Sequence, residues 1–305
     1  MTMAKGRKQS AKTLYIKEQI GEISESLRDY WPLTLRQLYY QLVAKEIIDN
    51  NEVQYQRLSR ITTAMRNKGE MSWAVMEDRS RTTTEKYRWA DMSDFIREQL
   101  DNFLVDYQRC LVQHQENYVE LWCEKDALAR IFERVGLPYC VKIFLCKGHP
   151  SATTLKDYAD RAKAALRRRQ MPVIVYGGDL DPSGWQIPVS ISDRLMRDHG
   201  VYVKLDRFAL NPEQVYQHRL PHNPDALKWT DPNAAKYVKL FGRLAVELDA
   251  LHPATLEKEI RAALARHLDV EGMLEEQSIQ AREITELAKV RTTVIKAIES
   301  AGIAI

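Results

Sequence analysis

The chain is poor in the residues that staple, break or stretch a fold. It has only 4 cysteines in 305 residues, Cys110, Cys123, Cys140 and Cys146, and none forms a C-x-x-C pair. A disulfide framework and a zinc ribbon are therefore not expected, and a reducing cytoplasm suits the composition. Glycine (12) and proline (11) are sparse, which leaves no room for long flexible linkers. No apolar run approaches the roughly 18–20 residues of a membrane helix, so no spanning segment is expected. The opening residues carry charge without an apolar stretch behind them and do not read as a secretory signal. Net charge is only +3, so any surface for nucleic acid must be a local one.

What is present is an ordinary globular mixture, 45% hydrophobic and 29% charged, long enough for two domains. Residues 1–12 hold Lys5, Arg7, Lys8 and Lys12 and no acid, which predicts a basic arm. Residues 13–110 read as nearly all helix. A first helix is predicted from about Thr13 to Tyr30, broken by Pro32. Thr34 then stands as an N-cap with Gln37 three residues on, a capping box. Leu35, Leu38, Tyr39, Leu42 and Val43 follow at the spacing of a buried helical face. A further helix is predicted over about Glu52–Asn67, with Leu58, Ile61 and Met65 inward. Arg57, Arg60 and Lys68 line a neighbouring face. Two short helices about a tight turn, the second basic, are a helix-turn-helix pattern. Met71–Met76 is the expected wing strand, followed by Arg79 and Arg81.

From about Tyr118 short β-rich runs alternate with amphipathic helices. Strands are predicted at Tyr118–Cys123, Val141–Cys146, Val173–Tyr176 and Val201–Phe208, with helices between them and more helix after about Asp231. This alternation predicts a mostly parallel sheet in an α/β domain. The expected fold is thus α+β in two domains, 1–112 helical and 113–305 α/β with a helical C-terminal part. The boundary falls inside a long predicted helical stretch, Ser93–Gln115.

Three acids stand at predicted strand ends: Glu124 after the first strand, and Asp179 and Asp181 after the third. Carboxylates there are hard oxygen ligands suited to Mg²⁺. The simpler alternative is that they cap the following helices. On the second predicted helix Tyr40 falls about 100° off the apolar stripe, and Arg36 lies one turn before it. A guanidinium beside a phenol favours the phenolate and can clamp a phosphate under attack. The simpler alternative is a packed tyrosine and a solvated arginine. His218 and His222 have a ligand-like spacing, but the intervening Pro221 favours a loop. Glu247 and Asp249 have two readings, contact with the strand-end acids or a helix surface, and the helix surface is the expected one.

Strand-Glu-Lys-helix, then strand-Gly-Asp-Leu-Asp-Pro-Ser-Gly-helix, with Lys147-Gly-His-Pro-Ser between, resembles the Toprim domain of topoisomerases and primases. Arg36-x-x-Tyr39-Tyr40 on a helix-turn-helix before it, and Ala245–Leu251 after it, resemble the topoisomerase VI A-subunit and meiotic double-strand-break transesterase family. Its compact form is closest to that family's stand-alone minimal A-subunit homologues. The resemblance implies a catabolite-activator-like winged-helix domain bearing the nucleophile, Tyr40, with Arg36 beside it. It implies a Toprim domain whose Glu124, Asp179 and Asp181 hold Mg²⁺. The implied enzyme is a type IIB topoisomerase-like transesterase that joins its tyrosine to a DNA 5′ phosphate. The implied partners are double-stranded DNA and a second copy in a homodimer, and the implied place is the cytoplasmic nucleoid. Candidate DNA contacts are Arg57, Arg60, Lys68, Arg79, Arg81, Lys125 and Lys147. No ATP-binding phosphate loop is seen, so strand passage would need a separate ATPase partner. Two rival readings are a hydrolytic Toprim nuclease and a non-enzymatic winged-helix DNA-binding protein.

Overall fold

The computed structural model describes residues 11–77 and 88–300. These fall into two compact units. One takes the described part of 1–80 together with 117–267. The other takes the described part of 81–116 and of 268–305. Grouping by compactness thus cuts the chain differently from the expected 1–112 and 113–305.

The first unit opens with α1 (Ala11–Ser26), α2 (Leu35–Ala44) and α3 (Glu52–Asn67). Local signals set the ends of α2 and α3. Thr34 Oγ1 accepts from Gln37 N at 3.3 Å, and Gln37 Oε1 accepts from Thr34 N at 2.8 Å, closing the capping box at α2. Asn51 Oδ1 accepts from Gln54 N at 3.0 Å and caps α3. The first helix stops at Ser26, short of the expected Tyr30, and Arg28–Tyr30 tightens into a 3₁₀ turn.

Met71–Met76 is not the expected wing strand. Leu33 N donates to Val75 O and Glu77 N donates to Leu33 O, a single parallel bridge. Trp73–Val75 is a 3₁₀ turn, begun by Ser72 Oγ accepting from Ala74 N at 3.2 Å. That side-chain bond offers the backbone an alternative to pairing as a strand.

A four-stranded parallel sheet forms the rest of this unit. Its strands are β1 (Asn117–Cys123), β2 (Lys142–Leu145), β3 (Met171–Gly177) and β4 (Lys204–Ala209), in the order β2-β1-β3-β4. The expected parallel sheet is therefore present, with each strand within a few residues of its predicted place. Its hydrophobic runs, such as Val173-Ile174-Val175-Tyr176, follow from burial on both faces.

The sheet's helices are α5 (Ala129–Gly136), α6 (Ala152–Arg167), α7 (Pro182–His199), α8 (Pro212–Gln217), α9 (Ala234–Phe241) and α10 (Pro253–Ala265). Trp122, Ile174 and Tyr176 share a core with Tyr158 and Leu155 of α6 and Ile187, Ile191 and Leu195 of α7. On the other face α5 and α10 cover the strands. A side chain at Gly177 would press Phe132 and Phe208 there, at 3.0 and 2.9 Å. Arg130 of α5 grips Glu77 with two 2.6 Å bonds, tying the early helices to the sheet.

The second unit has α4 (Met92–Asp101) and α11 (Val270–Ser300). The predicted helix Ser93–Gln115 ends early. Leu104 and Asp106 have φ of 57° and 62°, left-handed values no α-helix continues through. Side chains of α11 meet the polar groups of the irregular segment instead. Gln280 Oε1 accepts from Arg109 N at 2.7 Å, and Glu283 accepts from Tyr107 Oη at 2.7 Å.

Glu120 is fully buried in β1. It accepts from Arg161 Nε at 2.7 Å, Tyr118 Oη at 2.5 Å and Trp122 Nε1 at 3.0 Å. Removing the cation leaves a buried charge without its counter-ion. Arg161→Ala should cost about 3 kcal/mol in urea unfolding, and adding Glu120→Gln to that variant should recover part of the loss. Equal stability of wild type and Arg161→Ala would show that the two hydroxyl and indole donors suffice.

Candidate active site

The strand order reverses between β1 and β3, whose onward connections run to opposite sides. Loops at the carboxyl ends of such a pair open a crevice. Glu124 is the first residue beyond β1, and its N–H donates to Gly177 O at 3.0 Å. Its Oε2 accepts from Asp179 N at 2.9 Å and from Tyr176 Oη at 3.3 Å. Gly178 permits this approach, because a side chain there would lie 2.5 Å from Glu124 Oε2. Asp179 is buried, and its Oδ1 accepts from Leu248 N at 2.8 Å. Asp181 caps α7, with Oδ1 accepting from Gly184 N at 2.6 Å. The capping alternative thus describes one oxygen of Asp181.

Arg207 supports this turn from below. Its guanidinium donates to the carbonyls of Asp179 (2.6 Å), Gly184 (2.9 Å), Gly178 (3.2 Å) and Leu210 (3.2 Å). Nothing in the local sequence around Arg207 marks it for that task.

Among the described residues no three His, Cys, Asp or Glu side chains converge on one point as a metal cluster. The three acids are nevertheless close enough to oppose one another. Burial, then the charges of Asp179 and Asp181, push the Glu124 carboxyl up to about 7. Burial and Asp179 also raise Asp181. Each acid keeps one oxygen, Glu124 Oε1, Asp179 Oδ2 and Asp181 Oδ2, with no hydrogen bond among the described residues. Unspent hard oxygens under mutual repulsion fit a divalent cation such as Mg²⁺.

Glu247 and Asp249, expected on a helix surface, are built into this site. Leu180 and Val246 form an antiparallel bridge, each N–H donating to the other's carbonyl at 2.9 and 3.0 Å. The bridge sets Glu247–Asp249 beside Asp179. Lys125 Nζ then lies 3.0 Å from Asp179 Oδ1, 2.6 Å from Glu247 Oε2 and 2.7 Å from Asp249 Oδ1. The Asp249 side chain is wholly buried, and its other oxygen lies 2.6 Å from Arg36 Nε. Arg36 also pairs with Glu247. Burial opposes the Asp249 charge, yet Lys125 and Arg36 outweigh it and hold that carboxyl below its ordinary value.

Tyr40, expected off the buried stripe, is only 3% exposed. The reason is that α2 is covered on a second side by the 248–250 turn as well as by α1. Its ring meets Tyr39 edge-on at 5.2 Å, and Arg36 lies 5.8 Å from its centroid. Arg36 favours the phenolate here, but not by enough. Burial and the Asp249 charge outweigh it and push the Tyr40 phenol well above its ordinary value. Tyr39 is buried too, but its hydroxyl is anchored by Asn50 Oδ1 and Asn51 O, both at 3.1 Å. A pocket of ≈190 Å³ opens beside them, lined in part by Arg36, Tyr40, Tyr55, Asn223 and Glu247.

The candidate DNA contacts divide. Arg60 and Lys68 are exposed on and just beyond α3, and Lys147 is exposed with Asp126 3.6 Å away. Arg57 is half-buried and donates to Thr13 Oγ1 at 3.3 Å. Lys125 points inward to the acids, with 14% of its side chain exposed, and offers no charge to the outside. Arg79, Arg81 and the arm residues Lys5, Arg7 and Lys8 lie outside the described residues.

The chain matches no protein-family model, and a search of curated proteins finds no match.

The raised Glu124 carboxyl makes a test of the site's electrostatics. Its folded value lies above the ordinary 4.5, so the folded state holds the proton more tightly. The stability this contributes is present below about pH 4.5 and is lost as pH rises through about 7. Without divalent metal, Glu124→Gln should therefore match wild type at low pH and exceed it by on the order of 2 kcal/mol above neutrality. A difference in urea unfolding that stays flat with pH would show that neither burial nor the neighbouring acids raise Glu124.

Proposed function

We propose that this chain is a Mg²⁺-dependent DNA-cleaving transesterase of the topoisomerase VI A-subunit kind. In this reading the early helices are a variant of the family's winged helix, and the β1–β4 sheet with its helices is a Toprim domain. One observation carries it. An unbroken chain of contacts runs from the tyrosine helix to the acids: Arg36 beside Tyr40, Asp249 on Arg36, Lys125 on Asp249, and Asp179 on Lys125. A tyrosine, two cations and strand-end carboxylates in one place are the parts phosphoryl transfer needs.

The Tyr40 hydroxyl attacks a backbone phosphorus and gives up its proton. The bond from phosphorus to the 3′ oxygen breaks, and that oxygen leaves with a proton. The product is a 5′-phosphotyrosyl link. Arg36 holds a non-bridging oxygen of the attacked phosphate. Glu124, Asp179 and Asp181 would hold Mg²⁺, which supplies charge stabilisation for the phosphate and the departing oxygen. The resemblance implies a homodimer in which a tyrosine meets the partner's acids. In this chain Tyr40 lies beside its own Asp249.

A second reading has specific support. Tyr40 is buried and its phenol is hard to ionise, which suits a hydrolytic nuclease whose acids activate water. The two readings differ in the cut ends. End-labelled duplex DNA is incubated with protein and Mg²⁺ and stopped with detergent. Transesterification leaves label on protein until protease is added. Hydrolysis leaves freely migrating ends.

Under the first reading Tyr40→Phe abolishes the attachment. Tyr39→Phe retains it, at a stability cost of about 1 kcal/mol from its lost hydroxyl bonds. Asp179→Asn and Asp181→Asn should cut attachment at least about tenfold with DNA affinity little changed. Attachment surviving Tyr40→Phe would remove Tyr40 as nucleophile.

Duplex binding should be electrostatic and tolerant of sequence. Arg60→Glu with Lys68→Glu should weaken binding to every duplex by a similar factor and flatten its dependence on salt. Loss on one sequence alone would instead mean that α3 reads bases.

A further inference from the structure

The cation that an incoming phosphodiester would meet beside Tyr40, Arg36, is already neutralised from within the chain, by two carboxylates it shares with the inward-pointing Lys125. Asp249 offers one oxygen to each, Oδ1 to Lys125 at 2.7 Å and Oδ2 to Arg36 at 2.6 Å. Glu247 bridges the same pair. A non-bridging oxygen of a phosphodiester can take the place of these carboxylates on Arg36, since carboxylate and phosphate both pair with a guanidinium. The Arg36 side chain is 38% exposed and lines open space on both sides. One side is the ≈190 Å³ pocket with Tyr40, and the other is a polar cavity of ≈490 Å³ that reaches Ser59, Thr62 and Arg66. An anion from solvent can therefore reach the guanidinium without passing through the core.

We propose that Glu247 and Asp249 are an internal substitute for a backbone phosphate, latching the 248–250 turn over Tyr40 until a phosphodiester displaces them from Arg36. That the displacing anion is DNA rests on the transesterase reading. The latch itself rests on the contacts above. Closed, it keeps Tyr40 at 3% exposure and unreactive. Opened, it frees the guanidinium and uncovers the phenol together, so the nucleophile becomes available only where a phosphate is bound. Glu247 and Asp249 are positioning residues in this scheme and do not touch the reacting atoms.

Accessibility of Tyr40 reads the latch without any DNA chemistry. Nitration by tetranitromethane at about pH 8, mapped by peptide mass spectrometry, is compared across tyrosines. Exposed Tyr202 and Tyr216, 60% and 70% accessible, are fast references, and buried Tyr158 is the slow one. In wild type Tyr40 should nitrate as slowly as Tyr158. Glu247→Gln with Asp249→Asn should raise Tyr40 nitration about tenfold and leave Tyr158 slow, whereas general loosening would raise both. Inorganic pyrophosphate, without divalent metal, should raise Tyr40 nitration several-fold in wild type and add nothing in the double variant. If the double variant fails to fold, Glu247→Gln alone keeps the test. It should raise Tyr40 nitration by a smaller factor and lower the pyrophosphate concentration needed, and Glu247→Asp should restore slow nitration. Slow Tyr40 nitration in a folded variant, or no response of wild type to pyrophosphate, overturns the latch. An opening latch in a protein that never attaches to DNA would overturn the transesterase reading and leave the latch standing. Attachment without any change at Tyr40 would do the reverse.

Discussion

The Asp249 carboxylate, wholly buried between Arg36 and Lys125, is the contact on which the rest of the site depends. A buried carboxylate is tolerable only with its charge compensated, because desolvation costs several kcal/mol per ion. Here the compensation comes from two different parts of the fold. Arg36 stands on α2, and Lys125 follows β1. Neutralising Asp249 therefore requires the tyrosine helix and the strand ends to meet. Lys125 in turn lies among acids that would otherwise repel one another, and it reaches Asp179 at 3.0 Å. The strained feature that remains is Glu124, raised by burial and by Asp179 and Asp181. An enzyme that binds a divalent cation benefits from that strain, since the cation relieves it and the proton competes with it.

The early helices and the sheet consequently behave as one structural unit. Asp249 and Glu247 join them near the strand ends. Arg130 and Glu77 join them again beside α5. The 248–250 turn packed on α2 explains how a tyrosine one residue off the apolar stripe is still buried. Close packing suits a site that must place a hydroxyl against a phosphate, and it is an obstacle to admitting that phosphate. The polar cavities on both sides of Arg36 are where the two demands meet.

How much of this the sequence disclosed follows the range of the forces involved. The capping box at Thr34 and Gln37 depends on residues three apart, and the four strands, though paired at long range, show as local apolar runs, so both stand close to where the pattern places them. Glu124, Asp179 and Asp181 are legible as strand-end acids. Asp249 is not legible as a buried charge. Its burial comes from the Leu180–Val246 bridge, a pairing of distant residues that no local periodicity encodes. Tyr40 escapes the pattern for the same reason, since helical geometry predicts one buried stripe and the 248–250 turn adds a second contact surface. The segment after Asp101 departs differently. Its apolar spacing suits a helix, but left-handed residues at Leu104 and Asp106 turn the chain, and its polar groups find partners on α11.

The electrostatics also decide what must change before chemistry can occur. With Asp249 beside it, the Tyr40 phenol is held from ionising, and with Glu247 and Asp249 on it, Arg36 cannot hold a phosphate at full strength. The first obstacle comes from burial with the Asp249 charge, the second from the two carboxylates on Arg36. A phosphodiester that replaces them on Arg36 supplies the anion the guanidinium needs. In the proposed latch it also releases the 248–250 turn that keeps the phenol buried. The same exchange leaves Lys125 to share with Asp179, which keeps the acids ordered while α2 adjusts. Under the proposed transesterase reading, substrate binding and exposure of the nucleophile are then a single substitution on Arg36, and Tyr40 stays covered where no phosphate backbone is present.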